Sequence, residues 1–272
     1  MKKIGYTVEI IFLFFCLIFS QYQQVIPSEN TIIKSPFPSL VKVDDGRFFL
    51  WFKPNTNPPK EGYPAIFLFH GAAQHAFSWA IEWNSWTKNQ ASFKKKALQE
   101  GFFVFCLESQ RPVFPGPRAW DVFEENASQN DDFEYITNVI NWIKENLPEV
   151  NNKLYCAGFS SGAFMCSRLA ISYDPVFSAI AINSGCNALS ISLENFGPSF
   201  NLTNSYSLPS IHPPTLLLHG QQDSIVPLKC ATNYYNELQQ SHIESTLFVE
   251  QDQGHIWLKS KNNDVIQWFL SH

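Results

Sequence analysis

Metal-site and nucleotide-site patterns are missing from this chain. It has only six cysteines and seven histidines, and no pair of them shows the spacing of a zinc site. Its 12 glycines form neither a phosphate-binding loop nor a dinucleotide fingerprint. We therefore expect a protein that uses no metal and no cofactor.

Positive charge is also scarce. The chain carries 19 Lys and Arg against 24 Asp and Glu, for a formal net charge of −5. A short basic run, Lys94, Lys95 and Lys96, is typical of the solvated face of a helix. This balance argues against a nucleic-acid partner.

The apolar run near the amino terminus is too short to cross a membrane. It spans residues 10–19, well below the roughly 20 residues that a bilayer requires, and it follows Lys2 and Lys3 and ends before Ser20. This is the pattern of a secretory signal peptide, so we predict that residues 1–20 are removed and that no stable membrane anchor remains. An uncleaved signal anchor is the alternative. The predicted destination is outside the cell or a digestive, lysosome-like compartment.

Two sequons agree with passage through a secretory pathway. They place candidate N-glycosylation sites at Asn126 and Asn201. Loss of Cys16 with the signal leaves an odd number of cysteines, which excludes a fully paired framework. Cys186 and Cys230 follow neighbouring predicted strands, and we predict a disulfide between them. The remaining three are expected to pack as free thiols in the core: Cys106, Cys156 and Cys166.

Apolar and aromatic residues are plentiful, at 45% and 15% of 272 residues, so residues 21–272 can form one sizeable catalytic domain. A hairpin is predicted around residues 40–52. Strands near 65–70, 102–107, 153–158, 178–184, 214–219 and 245–249 then alternate with helices near 88–100, 132–147, 161–173, 228–240 and 262–270. This alternation predicts an α/β fold with a mostly parallel central sheet and helices on both faces. Residues 187–213 have weak periodicity and four breakers, which indicates a loop or small cap and an open cleft suited to bulky or polymeric substrates.

A G-x-S-x-G pentad, residues 158–162, lies between a predicted strand and a predicted helix. A strand-to-helix turn of this kind exposes the hydroxyl of its central serine, so Ser160 is the candidate nucleophile. A serine hydroxyl needs a base to take its proton and an acid to orient that base.

Both partners are found downstream at the ends of predicted strands. Asp223 follows residues 215–220 and is the candidate orienting acid, while His255 follows residues 245–249 and is the candidate general base. Asp252 is a nearer but less suitable acid, because a loop position three residues before His255 favours a solvated side chain. The order Ser160, Asp223, His255 is that of α/β-hydrolases rather than of other serine-hydrolase folds.

Acyl transfer also requires donors for the oxyanion of the tetrahedral intermediate. One is predicted to be the N–H of Ser161, just after the nucleophile. The second is expected in the loop that follows the strand near 65–70, with Ala72 as the first choice and Ala73 as the second. His70 and His219 each precede a glycine, a position in which histidine more often shapes a loop than transfers protons.

Four short motifs resemble the secreted polyhydroxybutyrate depolymerase and feruloyl esterase-like group of α/β-hydrolases from about residue 38 to the C-terminus. The motifs are residues 70–74 (HGAAQ), 118–123 (RAWDVF), 158–162 (GFSSG) and 254–257 (GHIW). The resemblance implies a triad of Ser160, Asp223 and His255, and it implies that Trp120 and Trp257 border the acyl or alcohol site; core aromatics are the alternative. The group often has cysteines where this chain has Ala72 and Ala119, so its disulfides and its polymer specificity do not carry over.

The sequence therefore predicts a secreted serine hydrolase of carboxylic esters that acts through an acyl-enzyme intermediate. If the resemblance to depolymerases extends to specificity, its substrate is a polymeric ester. The alternatives are a feruloyl or acetyl esterase that acts on plant polysaccharide, a small serine peptidase, and a binding protein on a catalytically dead hydrolase fold.

Overall fold

An eight-stranded sheet forms the centre of the chain, which a computed structural model describes over residues 39–43, 46–110, 118–124, 126, 128–172, 176–190 and 208–272. Its strands run in the order β1-β2-β4-β3-β5-β6-β7-β8. In chain order they are β1 (Ser39–Lys42), β2 (Phe48–Phe52), β3 (Tyr63–Phe69), β4 (Phe103–Leu107), β5 (Val150–Phe159), β6 (Ala179–Asn183), β7 (Thr215–Gly220) and β8 (Ser245–Glu250).

The sheet is antiparallel only at the edge where the chain enters it. β1 and β2 pair as the predicted hairpin, and β2 pairs with β4 in the antiparallel sense. Every other pairing, from β4 through β3 and β5 to β8, is parallel. The carboxyl ends of β3 to β8 therefore meet at one edge of the sheet, which is the edge where such sheets bind ligands.

Helices follow most of the parallel strands. They are α1 (Phe77–Ala80), α2 (Ser85–Gln99), α3 (Asp131–Asn146), α4 (Ser161–Ser172), α5 (Leu228–Gln240) and α6 (Asn262–Ser271). α3 shows why such a helix begins where it does: the side chain of Asn130 accepts hydrogen bonds from the N–H groups of Asp132 and Phe133, and the first turn is acidic. The sequence did not predict α1, because a single turn is too short to show a helical period.

Two hydrophobic cores cover the two faces of the sheet. The alternation of side chains along β3 sends Phe67 to one face and Ile66 to the other. The first face is packed by α3, α4 and α5, and the second by α1, α2 and α6. Helices on both faces of a mostly parallel sheet confirm the predicted fold class. No helix of the described ranges is long and apolar enough to cross a membrane.

Part of what the sequence predicts lies outside the described residues. This applies to the signal segment 1–20, to Asn201 and to residues 191–207 of the expected loop or small cap. Those interpretations, and the open cleft inferred from the cap, stay predictions.

Candidate active site

The backbone at Ser160 adopts the conformation that a nucleophile turn requires. Ser160 has a φ of 53°, in the left-handed region that few non-glycine residues enter, and it joins β5 directly to α4. A Cβ atom at Gly158 would collide with the carbonyl oxygen of Gly162, and one at Gly162 would collide with the carbonyl oxygen of Phe69. Both glycines are therefore needed for the close approach of helix and strands that brings the serine to the edge of the sheet.

The imidazole of His255 lies between Ser160 and Asp223. Its Nε2 is 2.9 Å from Ser160 Oγ, and its Nδ1 is 2.8 Å from Asp223 Oδ2. Because a carboxylate only accepts, Nδ1 carries the proton and Nε2 is left to accept the serine hydroxyl. The ring of Phe159 packs against the imidazole with centroids 4.9 Å apart. The three side chains thus form one continuous hydrogen-bonded chain.

Asp223 is held as a charged acceptor. Its Oδ1 accepts the N–H groups of Ile225 at 2.9 Å and Val226 at 2.8 Å, while its Oδ2 faces His255. Burial acts to raise the pKa of Asp223, but the hydrogen bond from His255 and the two amides outweigh it and hold the pKa below its usual value. Asp252, the nearer acid in sequence, is exposed.

The two amides predicted as oxyanion donors are in different surroundings from their neighbours. Ser161 is the first residue of α4, where an N–H has no acceptor within the helix. In the loop after β3, Ala73 donates to the carbonyl oxygen of Arg118 at 2.8 Å, and Gly71 donates to the side chain of Gln74 at 2.8 Å. The N–H of the exposed Ala72 has no acceptor among the described residues. Among the described residues, the N–H of Ala73 is therefore already hydrogen-bonded and the N–H of Ala72 is not.

Trp120 and Trp257 are buried. Each is only 1% exposed, which favours the alternative of core aromatics over rings that border the acyl or alcohol site. The indole of Trp120 packs on Phe69 and donates to the carbonyl oxygen of His70 at 2.8 Å. The indole of Trp257 packs on Trp79 and donates to Asn262. Both pack as core aromatics, because each ring is buried and each indole N–H has an acceptor within the protein.

His70 shapes the loop that carries Ala72. Its Nδ1 donates to the carbonyl oxygen of Gly71 at 2.8 Å, and its Nε2 accepts the N–H of Ser109 at 3.1 Å. Complete burial lowers the pKa of His70 to about 4, so the ring is neutral near pH 7.

Glu108 lies directly after β4, and no sequence motif indicated its part in the site. Its buried carboxylate accepts hydrogen bonds from the N–H of Ala76 at 2.9 Å, from the ring of His75 at 3.2 Å and from the guanidinium of Arg118. Burial acts to raise the pKa of Glu108, but the hydrogen bond from His75, the neighbouring His70 and the N–H of Ala76 hold it below its usual value. The loop 71–76 is thus fixed at both ends. A charged residue at the carboxyl end of a buried strand was the signal that could have identified it.

The described cysteines are paired except for one. Cys186 and Cys230 are bonded, with Cα atoms 5.0 Å apart, within the roughly 7 Å that a disulfide allows. Cys156 and Cys166 are also bonded, which corrects the expectation that they are free thiols. The turn at Ser160 folds α4 back onto β5, so two residues ten apart in sequence come within 6.1 Å at Cα. Cys106 is free and buried, and burial raises its pKa to about 12.

Within the described ranges, no group of three or more His, Cys, Asp or Glu side chains could hold a metal ion. The arrangement offers instead the Ser160 hydroxyl, the His255 imidazole, the Asp223 carboxylate and the amides of Ser161 and Ala72, which have no acceptor among the described residues.

Comparisons with known proteins agree with the fold. Residues 189–272, which include Asp223 and His255, match the Prolyl oligopeptidase family. The poly(3-hydroxyoctanoate) depolymerase of Pseudomonas fluorescens is 27% identical over 234 residues, which cover 83% of this chain and 80% of the relative. Feruloyl esterase B of Thermothelomyces thermophilus is 27% identical over 135 residues, covering 41% of this chain and 46% of the relative.

A solved structure is similar over its whole length. The acetyl xylan esterase of Aspergillus awamori superposes with a TM-score of 0.65 at 16% identity, covering 86% of this chain and 100% of that one. The resemblance to depolymerases and feruloyl esterases that the motifs indicated is therefore confirmed. With its strand order and its parallel sheet between two layers of helices, this chain is an α/β-hydrolase by fold.

Proposed function

We propose that this protein is a serine hydrolase of carboxylic esters that acts through an acyl-enzyme intermediate. One observation carries the proposal: Ser160, His255 and Asp223 form an unbroken hydrogen-bonded chain at the carboxyl edge of a parallel sheet. The amide of Ser161 begins α4 and the amide of Ala72 lies in the loop after β3, both at this edge of the sheet. A binding protein would have no use for this combination.

The geometry accounts for both halves of the reaction. Ser160 Oγ attacks the ester carbonyl carbon while its proton passes to His255 Nε2, and Asp223 stabilises the imidazolium that forms. The carbonyl oxygen becomes an oxyanion held by the Ser161 and Ala72 amides, each worth about 3 kcal/mol. His255 then gives the proton to the departing alcohol, and the acyl group stays on Ser160.

Water completes the cycle. His255 takes a proton from a water molecule, whose oxygen attacks the acyl carbonyl, and returns the proton to Ser160 Oγ as the carboxylic acid leaves. Each step uses the same base in both directions, so no further proton donor is required.

Esters are favoured over peptides because relatives that this chain matches over most of their length are named for esters. They are the depolymerase, of which the chain covers 80%, and the acetyl xylan esterase, of which it covers 100%. The substrates suggested by these names are a polyhydroxyalkanoate and an acetyl or feruloyl ester on polysaccharide. A peptidase is the second candidate, because residues 189–272 match the Prolyl oligopeptidase family.

We also infer secretion. Residues 1–20 have the pattern of a signal peptide, and the pairs Cys156–Cys166 and Cys186–Cys230 fit an oxidising compartment. Asn126 is exposed, as an N-glycosylation site must be, and its side chain accepts hydrogen bonds from Ser128.

The test is hydrolysis of p-nitrophenyl esters from acetate to palmitate, of methyl ferulate and of an acyl-aminoacyl p-nitroanilide. The purified protein is compared with Ser160→Ala and with Ser178→Ala, a control at a half-buried serine before β6. We expect ester hydrolysis that only Ser160→Ala abolishes. Preference for the anilide would move the assignment to a peptidase, and equal ester rates in all three proteins would refute the role of Ser160.

A further inference from the structure

We propose that Asn183 is a positioning residue that holds His255 in line with Ser160. The proposal rests on the function proposed above and adds a residue that the sequence motifs do not include. Asn183 is the last residue of β6, the strand next to β5 in the sheet, and it is completely buried.

The side chain of Asn183 makes two of its three hydrogen bonds to the segment after His255. Its Oδ1 accepts the N–H of Leu258 at 2.8 Å. Its Nδ2 donates to the carbonyl oxygen of Ile256 at 3.0 Å and to Ser184 Oγ at 3.0 Å. The contact with the Leu258 N–H identifies the oxygen of the amide, so the orientation of the group follows from its partners.

The same residue also contacts the nucleophile turn. The N–H of Ser160 donates to the main-chain oxygen of Asn183 at 3.0 Å. One residue therefore holds the backbone of the nucleophile on one side and the backbone next to the base on the other. The hydrogen bonds of Asn183 therefore help to set the distance between Ser160 Oγ and His255 Nε2.

Residues 251–258 form the loop that carries His255, here called the histidine loop. The end of this loop that precedes His255 is held by a separate contact. Gln222 donates its N–H to the carbonyl oxygen of Gln253 at 2.9 Å, which ties the residues before His255 to the loop of Asp223. Asp223 orients the ring, but it does not fix the backbone after it. Removing the amide of Asn183 would leave the half-buried Ile256 oxygen and the N–H of the buried Leu258 without their partner, and the loop would shift to satisfy them.

A small shift of this kind has a large effect on proton transfer. A misplacement of about 1 Å can cost roughly 100-fold in rate. Substrate binding need not change, because Asn183 is buried beneath the site. The signature of positioning is therefore a fall in kcat with KM preserved.

The experiment compares Asn183→Ala and Asn183→Asp with Asn187→Ala. Asn187 is equally buried and its side chain bonds to Glu237 and to the N–H of Leu189, so its loss tests general destabilisation. Asn183→Asp keeps the acceptor for Leu258 and loses the donor to Ile256. Each is assayed on p-nitrophenyl esters at a temperature well below its melting point.

We expect kcat to fall roughly 100-fold in Asn183→Ala and roughly tenfold or more in Asn183→Asp, with KM within about twofold, while Asn187→Ala lowers the melting temperature and keeps kcat. Unchanged kcat in Asn183→Ala, or an equal fall in Asn187→Ala, would overturn the proposal.

A second measurement does not depend on ester hydrolysis. NMR of ring-labelled histidine reports the Nδ1–H and Nε2 signals of His255 in the folded protein. Changed shifts in Asn183→Ala but not in Asn187→Ala support positioning even if the wild type hydrolyses no ester, in which case only the proposed function fails. Identical His255 signals in all variants would refute positioning.

Discussion

The main-chain N–H of Trp120 donates to the hydroxyl of Ser161 at 3.1 Å. Ser161 follows Ser160 and carries one of the two proposed oxyanion amides, while the indole of the same tryptophan donates to the carbonyl oxygen of His70, just before the loop of Ala72. Two residues earlier, Arg118 accepts the N–H of Ala73. One short segment thus connects α4 with the loop after β3, the two elements that carry the proposed oxyanion donors.

Trp120→Phe keeps an aromatic ring and removes the N–H that reaches His70. We expect kcat to fall by about tenfold and the free energy of unfolding by about 1 kcal/mol beyond the effect of a smaller ring. The matched control is Trp79→Phe, because Trp79 is also buried and its indole N–H has no partner among the described residues. Steady-state kinetics and denaturant unfolding measure both effects, and an equal loss of kcat in the two variants would contradict the special place of Trp120.

Asp223→Asn distinguishes the two acids that precede His255. It removes the charge that stabilises the imidazolium and favours the wrong tautomer, so we expect kcat to fall by about 10⁴, the size of the effect known for the equivalent change in another serine-hydrolase triad. Asp252→Asn changes an exposed side chain and should leave kcat within about twofold. A reversed pattern in the ester assay would assign the orienting role to Asp252.

Gly162→Ala should prevent the nucleophile turn from closing. The added Cβ would lie against the carbonyl oxygen of Phe69, which is main chain and cannot rotate away. We expect a loss of about 3 kcal/mol or more in the free energy of unfolding. Gly46→Ala is the control: its φ of 81° strains an alanine, but no atom lies within 4 Å, so a loss of about 1 kcal/mol is expected. Guanidinium unfolding should rank the two, and equal losses would show that the collision is relieved.

The disulfides should contribute unequally to stability. The Cys186–Cys230 bond closes a separation of 44 residues and the Cys156–Cys166 bond one of 10. Constraint of the unfolded chain grows with loop length, so replacing each pair by serine should cost about 4 and about 3 kcal/mol respectively. Unfolding of the two double variants under non-reducing conditions gives the comparison. A larger loss for the 156–166 pair would mean that packing at the nucleophile turn, rather than chain entropy, dominates.

Stability should fall in acid because burial lowers the pKa of three histidines, His70, His212 and His219. Burial lowers the pKa of His70 to about 4, and of His212 likewise to about 4. Between pH 6.5 and 4 the unfolded state therefore binds more protons, and stability decreases as the pH falls, by about 3 kcal/mol for each of His70 and His212. Asp132 acts in the opposite direction, since burial raises its pKa to about 6 and the folded state takes up its proton first.

His212→Asn tests this pH dependence away from the active site. His212 bonds to Tyr234 and to the carbonyl oxygen of Pro213. We expect the slope of unfolding free energy against pH between 6.5 and 4 to decrease by roughly one proton, about 1.4 kcal/mol per pH unit. An unchanged slope in urea unfolding at a series of pH values would show that His212 does not titrate as its burial requires.

Local sequence patterns predicted the strands and, apart from α1, the helices. They also predicted the order in which Ser160, Asp223 and His255 follow their strands. Two glycines with an apolar run on each side indicate the strand-to-helix turn at Ser160. Asp223 and His255 lie in the loops that follow the apolar runs 215–220 and 245–249. Because parallel strands place their carboxyl ends together, a linear order of strand ends predicts neighbours in space. The fold class followed from the same alternation.

Contacts between distant segments decided the rest. Which amide of the loop after β3 stays unpaired depends on Arg118, and the burial of Trp120 depends on Phe69 and on the turn of α4. Asn183 connects to Ile256 and Leu258 only because β6 and the histidine loop meet in the folded sheet. Sequence periodicity predicts which residues of one element are buried. The partner of a buried polar group is set by tertiary packing, so no local pattern predicts it.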